Sequence, residues 1–335
     1  ARPDFQFAYQ IIDDPAMGKD ISGNGDGALQ LGERVKLRVD VSNRGDGSAL
    51  DTWVHLRNLS GEAAFLHTGR DHLGELGSSR SDVAMLDLEV RKPSKDGNIR
   101  LQLSVSDNKI GEVLSEKIVF PILDENSGFS GGPSGVVTKG AVDLYASPLM
   151  PEHVVAKTVA GAKFKALGSR GGWTKVDLGD DRFAFAKDTD VDPGKAVRKP
   201  GKLDPVLNVS PPHIEMVGAV TQTDEKAIHL SGLAKDEQAV RDIYITVINP
   251  SRDMFGRREK VFYQASKDPK SGRLEFAADV PLTPGNNLIE VYARENDAIE
   301  GVERLWVLRT SGLAEARVAE KKLKAGGKLR VDTYK

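Results

Sequence analysis

A chain of 335 residues is too long for one hydrophobic core, which rarely grows beyond about 250 residues, so two or three domains are expected. Its 47 basic and 49 acidic side chains nearly balance, which leaves neither a basic tract for nucleic acid nor a cationic face for an anionic membrane. The absence of cysteine excludes disulfides and thiolate metal sites without fixing a compartment, and no apolar run approaches the ~20 residues of a membrane helix.

The opening "ARPDFQFAYQ" has no Met and enters a strand-like run within three residues. It suits either a mature end or a piece cut from a larger polypeptide, and we expect the second. Next comes "DISGNGDGALQLGE", residues 20–33. Counted from Ser22 it carries the spacing of an EF-hand loop, with Asn24 third, Asp26 fifth, Gly27 sixth and Glu33 twelfth. A calcium loop needs alternating oxygen ligands, a glycine for the turn and a closing carboxylate. The candidate ligands are Asp20, Ser22, Asn24, Asp26, the Ala28 carbonyl and Glu33. Ser22 stands where Asp is usual and strands replace the flanking helices, so the choice between a weak calcium site and a structural turn stays open, with the turn favoured.

Beyond the loop the period is two: Val35, Leu37, Val39, Val41, then Leu86, Leu88, Val90, then Ile99, Leu101, Leu103, Val105. Alternation over such lengths, broken by turn clusters such as "SNRGDGS" and "KPSKDGN", predicts an immunoglobulin-like β-sandwich over residues 1–124. The Gly- and Ser-rich stretch 125–135 reads as a linker, and so does 193–212, where prolines deny helix and disfavour a central strand. Between them, residues 136–192 hold five strand-like runs, enough for a small barrel. Residues 213–310 return to alternation, as in "DIYITVIN" and "DVPLTPGNNLIEVYARE", and predict a second sandwich. The end, 311–335, is expected to be helical or disordered. The fold class is thus all-β, two sandwiches flanking a barrel.

Catalytic motifs are weak. "GFSGG" places Ser130 in a nucleophile-elbow expression, but Pro133 and a new strand follow where that motif requires a helix. The six histidines are scattered and form no HExxH pair. His67, His72 and Asp71 in "HTGRDHLG" read as a solvated turn, and Arg44 to Asp46, an "RGD", reads as a hairpin turn. Two binding surfaces are candidates instead. Tyr145, Trp173, Phe183 and Phe185 are expected to line a groove for an extended peptide, against even odds that Trp173 and Phe185 are core. The loop carrying Arg252, Met254, Phe255, Arg257 and Arg258 mixes apolar and basic groups in the manner of a protein-contact loop, although a solvated face is the commoner meaning of such a run.

The barrel segment resembles a bacterial SH3-like domain, carried by Val137, Thr138, Leu144, Tyr145, Gly161, Trp173, Lys175 and Val176, with "RFAF" where that family has "GWv". The phrases "GNGDGALQLGERVKLRVDVSNRGDGSA", "LRNLSGEAAFLHTGRDHLGEL", "NPSRDMFGRREKVFY" and "VPLTPGNNLIEVYARE" together resemble the region that follows the PDZ domain in carboxy-terminal processing serine proteases of deltaproteobacterial type. That resemblance implies an extracytoplasmic, non-catalytic accessory region whose serine–lysine peptidase core lies in another part of the same gene product, with protein or peptide partners and contact with the cell envelope. An independent surface or cell-wall adhesion protein is the alternative, and a cryptic hydrolase the second. No cofactor is expected beyond the weak calcium site.

Overall fold

The computed structural model describes residues 2–123, 128–150, 153–207, 209–236, 238–249, 258–268, 270–297 and 299–311. The expected tail at 311–335 lies, from 312 onward, outside the described residues. The chain is all β and divides into two compact units, residues 1–210 and 211–335.

In the first unit a sandwich forms because the period-two residues all face inward. Val35, Leu37, Val39 and Val41 are fully buried, as are Leu86, Leu88 and Val90 and then Ile99, Leu101, Leu103 and Val105. One sheet runs Phe5–Ile12, Arg34–Asn43, Arg80–Val90, Ala64–Thr68, and the other Leu29–Gln30, Val113–Leu123, Asn98–Asp107, Ala49–Asn58, Arg70–Leu76. Two expected turns are corrected by this topology. "NRGDG" joins strands that belong to different sheets, so it is an arch between layers and no hairpin. Asn43 holds the arch, donating to the Gly47 and Leu76 carbonyls and accepting from the Asp4 and Gly45 amides, while Arg44 pairs with Asp4 at 2.6 Å. "HTGRDHLG" is no loop either: it is the end of one strand, Ala64–Thr68, and the start of another, Arg70–Leu76, with Gly69 where the chain passes between sheets.

The barrel belongs to the same compact unit. Its sheet has eight strands in the order Val191–Gly194, Gly135–Thr138, Lys163–Arg170, Trp173–Gly179, Arg182–Lys187, Val142–Tyr145, Val154–Thr158, Leu203–Pro205. It curls around Val136, Leu144, Phe164, Val176, Ala184 and Ala186. Asp180 and Asp181, both at positive φ, make the hairpin between the fourth and fifth of these strands. The Pro-rich stretch expected as a linker supplies the whole of one end strand, Leu203–Pro205, and the last two residues of the other, Val191–Gly194, at edges where a missing proline N–H costs no ladder bond. The same stretch then exchanges two backbone hydrogen bonds between Val209 and Phe7, each at 2.9 Å.

The second unit is a sandwich of a three-stranded sheet, His213–Val217, Ala227–Lys235, Arg273–Pro281, and a five-stranded one, Gln222–Thr223, Glu300–Arg309, Gly285–Arg294, Asp242–Ile248, Glu259–Ala265. Leu230, Ile243, Ile245, Val280, Ile289, Val291 and Val307 form its centre. The predicted turn at Pro284–Gly285 is closed by Asn287, whose Nδ2 donates to the Thr283 and Gly285 carbonyls.

Candidate functional site: the joint between sandwich and barrel

Two stretches that the sequence treats as separate candidates meet in the first unit. Phe183 and Phe185 are fully buried, in one apolar cluster with Ile12 and Ile21 of the sandwich, and with Met17, Phe129, Leu167 and Trp173 packed around it. Two of the four aromatics predicted to line a peptide groove are therefore covered by the protein itself. Phe129, from the expected linker, lies 5.0 Å from Phe185 between ring centroids. Tyr145 and Trp173 keep part of their surface at the rim, edge to face at 5.4 Å, with the Lys187 ammonium 5.3 Å from the Tyr145 ring.

The loop that covers the barrel is the calcium-like one. Gly27 sits at φ +74°, and a Cβ there would lie 2.8 Å from the Phe185 ring and 3.0 Å from the Ala146 carbonyl. Only glycine gives both this backbone and this approach. Gln10, the neighbouring strand's contribution, donates Nε2 to the Phe183 carbonyl at 2.9 Å. Lys175 closes the joint from the barrel side. Its ammonium donates to Asp14 Oδ2 at 2.9 Å and to the Gly25 carbonyl at 2.8 Å, and it lies 4.0 Å from the centre of the Phe183 ring.

Within the loop several of the candidate ligand oxygens accept hydrogen bonds from nearby amides, while Glu33 Oε1 is buried without a partner. Asp26 Oδ1 accepts from the Ala28 amide at 2.9 Å and Oδ2 from Gln30 Nε2 at 2.9 Å. Asn24 Oδ1 accepts from the Asp26 amide, Glu33 Oε2 from the Gln30 amide and Ser22 Oγ from the Arg34 amide. Asp20 points elsewhere, 3.7 Å from Arg34 Nη1. Among the described residues no group of three or more His, Cys, Asp or Glu side chains is arranged to hold a metal ion.

Asp13 is the residue that sequence reasoning missed. It is fully buried and accepts from the Asp26 and Gly27 amides, so it fixes the loop's turn. Burial, reinforced by the Asp26 charge and opposed by Lys175, pushes Asp13 up to about 7. Burial likewise raises Glu33 to about 7, with the Gln30 amide opposing and the Asp26 charge adding to it. Asp14 goes the other way. Burial works against its charge, but the hydrogen bonds from Lys175 and the Ala16 amide hold it below the usual carboxylate range. The sequence signal for this was slight: two adjacent acids at a strand end, and a lysine at an outward position of "WTKVDLG".

The other candidates stay apart. His67 pairs with Glu89 and His72 with Asp51, on different sheets, while Asp71 accepts from the Met85 amide. Ser130 makes a backbone bridge to Ser169 and leads to the strand at Gly135. Of the predicted contact loop, Arg252, Met254, Phe255 and Arg257 lie outside the described residues, and Arg258 pairs with buried Glu290 at 2.9 Å.

No protein-family model and no characterised protein matches the chain. Solved structures give low scores. The YadV chaperone is similar at TM-score 0.20 and 14% identity over 89% of this chain and 99% of its own. The secreted serine protease VesC from Vibrio cholerae gives 0.21 and 11% over 85% of this chain and 45% of its own. Alpha-2-macroglobulin of Escherichia coli gives 0.21 and 10% over 92% and 35%. Likeness at these scores carries no functional argument.

Proposed function

We propose that this chain is the non-catalytic accessory region of an extracytoplasmic carboxy-terminal processing serine peptidase, where it positions or regulates the peptidase and binds protein or peptide partners. The observation that supports it best is the sealed aromatic face of the barrel. An SH3-like face that holds a loop of its own chain turns two small domains into one body, because burying Phe183, Phe185, Ile12 and Ile21 together ties barrel to sandwich. A body of that kind sets distance and orientation for whatever is attached to it, which is the work of an accessory region. Partners then meet the surfaces left open, the Tyr145–Trp173–Lys187 rim in the first unit and exposed Tyr263 and Trp306 in the second.

The decisive test is the coding sequence upstream of Ala1. A serine–lysine peptidase domain in the same reading frame is the expected result, and a secretion signal immediately before Ala1 would overturn the reading. Incubation of the purified chain with unstructured peptides is the biochemical counterpart. No turnover is expected, whereas turnover abolished by Ser130→Ala would make the chain a hydrolase.

A further inference from the structure

The first unit also contains a cavity that the joint does not use. It has a volume of 310 Å³ and lies between the outer side of the Phe5–Ile12 sheet and the barrel, under Pro205, Val206 and Leu207. Its walls are largely apolar, with Ala8 and Val83 from the sandwich, Leu178 from the barrel and Leu207 from the covering segment. Arg182 is the one cation among the described lining residues. Its Nε is shut off from water without a hydrogen-bond partner. Two carboxylates also border the space. Asp40 is neutralised by Arg38, which meets it through two hydrogen bonds of 2.9 and 3.1 Å, and Asp82 is exposed, at the solvent side.

An unpaired guanidinium donor is costly to bury, and a small turn of the Arg182 side chain toward the cavity lets an acceptor that arrives with a ligand remove that cost. A planar carboxylate matches the guanidinium fork best. We propose that this cavity binds a small apolar carboxylic acid, with the acid group on Arg182 and the hydrocarbon part against Ala8, Val83, Leu178 and Leu207. The size follows from the volume: at ~30 Å³ for each water-sized group the space holds about ten heavy atoms. Two sources present that chemistry, a short free fatty acid and the C-terminal residue of a peptide ending in an apolar side chain.

Calorimetric titration of the full chain with octanoate, N-acetyl-leucine and 1-octanol tests the assignment. Octanoate or N-acetyl-leucine should bind at micromolar to millimolar concentration, and octanol, which has the apolar part without the charge, about tenfold more weakly or worse. Arg182→Gln should weaken the acid about 10- to 100-fold, as expected for losing charge-assisted hydrogen bonds. Octanol binding as tightly as octanoate, unchanged affinity in Arg182→Gln, or no heat with either acid would each overturn the proposal. Should Arg182→Gln fail to fold, the comparison of octanoate with octanol on the unaltered chain decides alone. Tighter binding of octanoate points to a free acid as the source, and tighter binding of N-acetyl-leucine to a peptide end.

Discussion

Lys175→Met is the sharpest probe of the joint. Lys175 is 2% exposed, and its ammonium donates to Asp14 at 2.9 Å and to the Gly25 carbonyl at 2.8 Å while facing the Phe183 ring. Methionine keeps the apolar stem and deletes the charge. Hydrogen bonds to charged groups contribute roughly 1.5–3 kcal/mol each, and the ring contact up to about 2 kcal/mol. Against that, the variant no longer has to desolvate an ammonium, which recovers several kcal/mol. Asp14 is also about a quarter exposed, so it regains water when its partner is lost. The balance is a destabilisation of about 2–4 kcal/mol for the first unit, placed at the lower side of the cost of breaking a buried pair because one partner is partly solvated. For a unit of this size each kcal/mol moves the melting temperature by roughly 2–4 °C, so calorimetry should show a loss of about 4–16 °C. The double variant with Asp14→Asn should lose at least about 1 kcal/mol less than the two single variants added together. A change below about 0.5 kcal/mol in Lys175→Met, or strict additivity, would refute the account of the joint.

The remaining predictions use other parts of the chain. Gly27→Ala and Gly32→Ala both place a side chain at positive φ, +74° and +87°, but only the first meets neighbours. Both should lose about 1–2 kcal/mol to the backbone, and Gly27→Ala a further 1–3 kcal/mol to overpacking, read by urea unfolding; equal losses would show that the approach to Phe185 is slack. In the second unit, burial and the Asp236 charge push Glu295 from an ordinary 4.5 up to about 7. The folded chain then keeps a proton that the unfolded chain releases, so this unit should lose stability as pH rises from about 4.5 to 7 and level off above, a slope that Glu295→Gln removes. Calcium at millimolar concentration should leave the melting temperature of the first unit unchanged, since the oxygens of Asp26, Asn24 and Ser22 are engaged by amides; a clear upward shift would show that the loop opens to ligate it.

The fold was legible wherever one face of a strand is buried and the other is wet. Val35 to Val41 and Ile99 to Val105 alternate in the sequence and are buried in the structure for that reason. Which strands share a sheet was not legible. "NRGDG" has the chemistry of a hairpin and is an arch, because the partner of a strand is chosen by packing of two layers and not by the turn that follows it. The Pro-rich stretch failed in a different way. Prolines correctly excluded a central strand, but the ends of an eight-stranded sheet tolerate them, so a supposed spacer became one edge and part of the other. At the joint, Phe183 and Phe185 were visible as large side chains needing cover, while much of their cover came from Ile12, Met17 and Ile21, far earlier in the chain, a pairing that periodicity cannot report.

The spacing of "DISGNGDGALQLGE" has a physical explanation that does not depend on a bound ion. A loop that turns tightly through Gly25 and Gly27 brings its carbonyls and carboxylates together, and such a concentration of oxygen must be balanced by donors or by positive charge. An EF-hand loop supplies a dication. Here the amides of Asp26, Gly27, Ala28 and Gln30 supply donors to Asp13, Asn24, Asp26 and Glu33, and the barrel supplies the charge through Lys175. A cation attached to the neighbouring domain does what a free ion cannot, since it stabilises the turn only when barrel and sandwich are docked. Loop closure and domain docking are thereby one event. Removing the lysine, or removing Asp13's acceptors by Asp13→Ala, should therefore loosen both together.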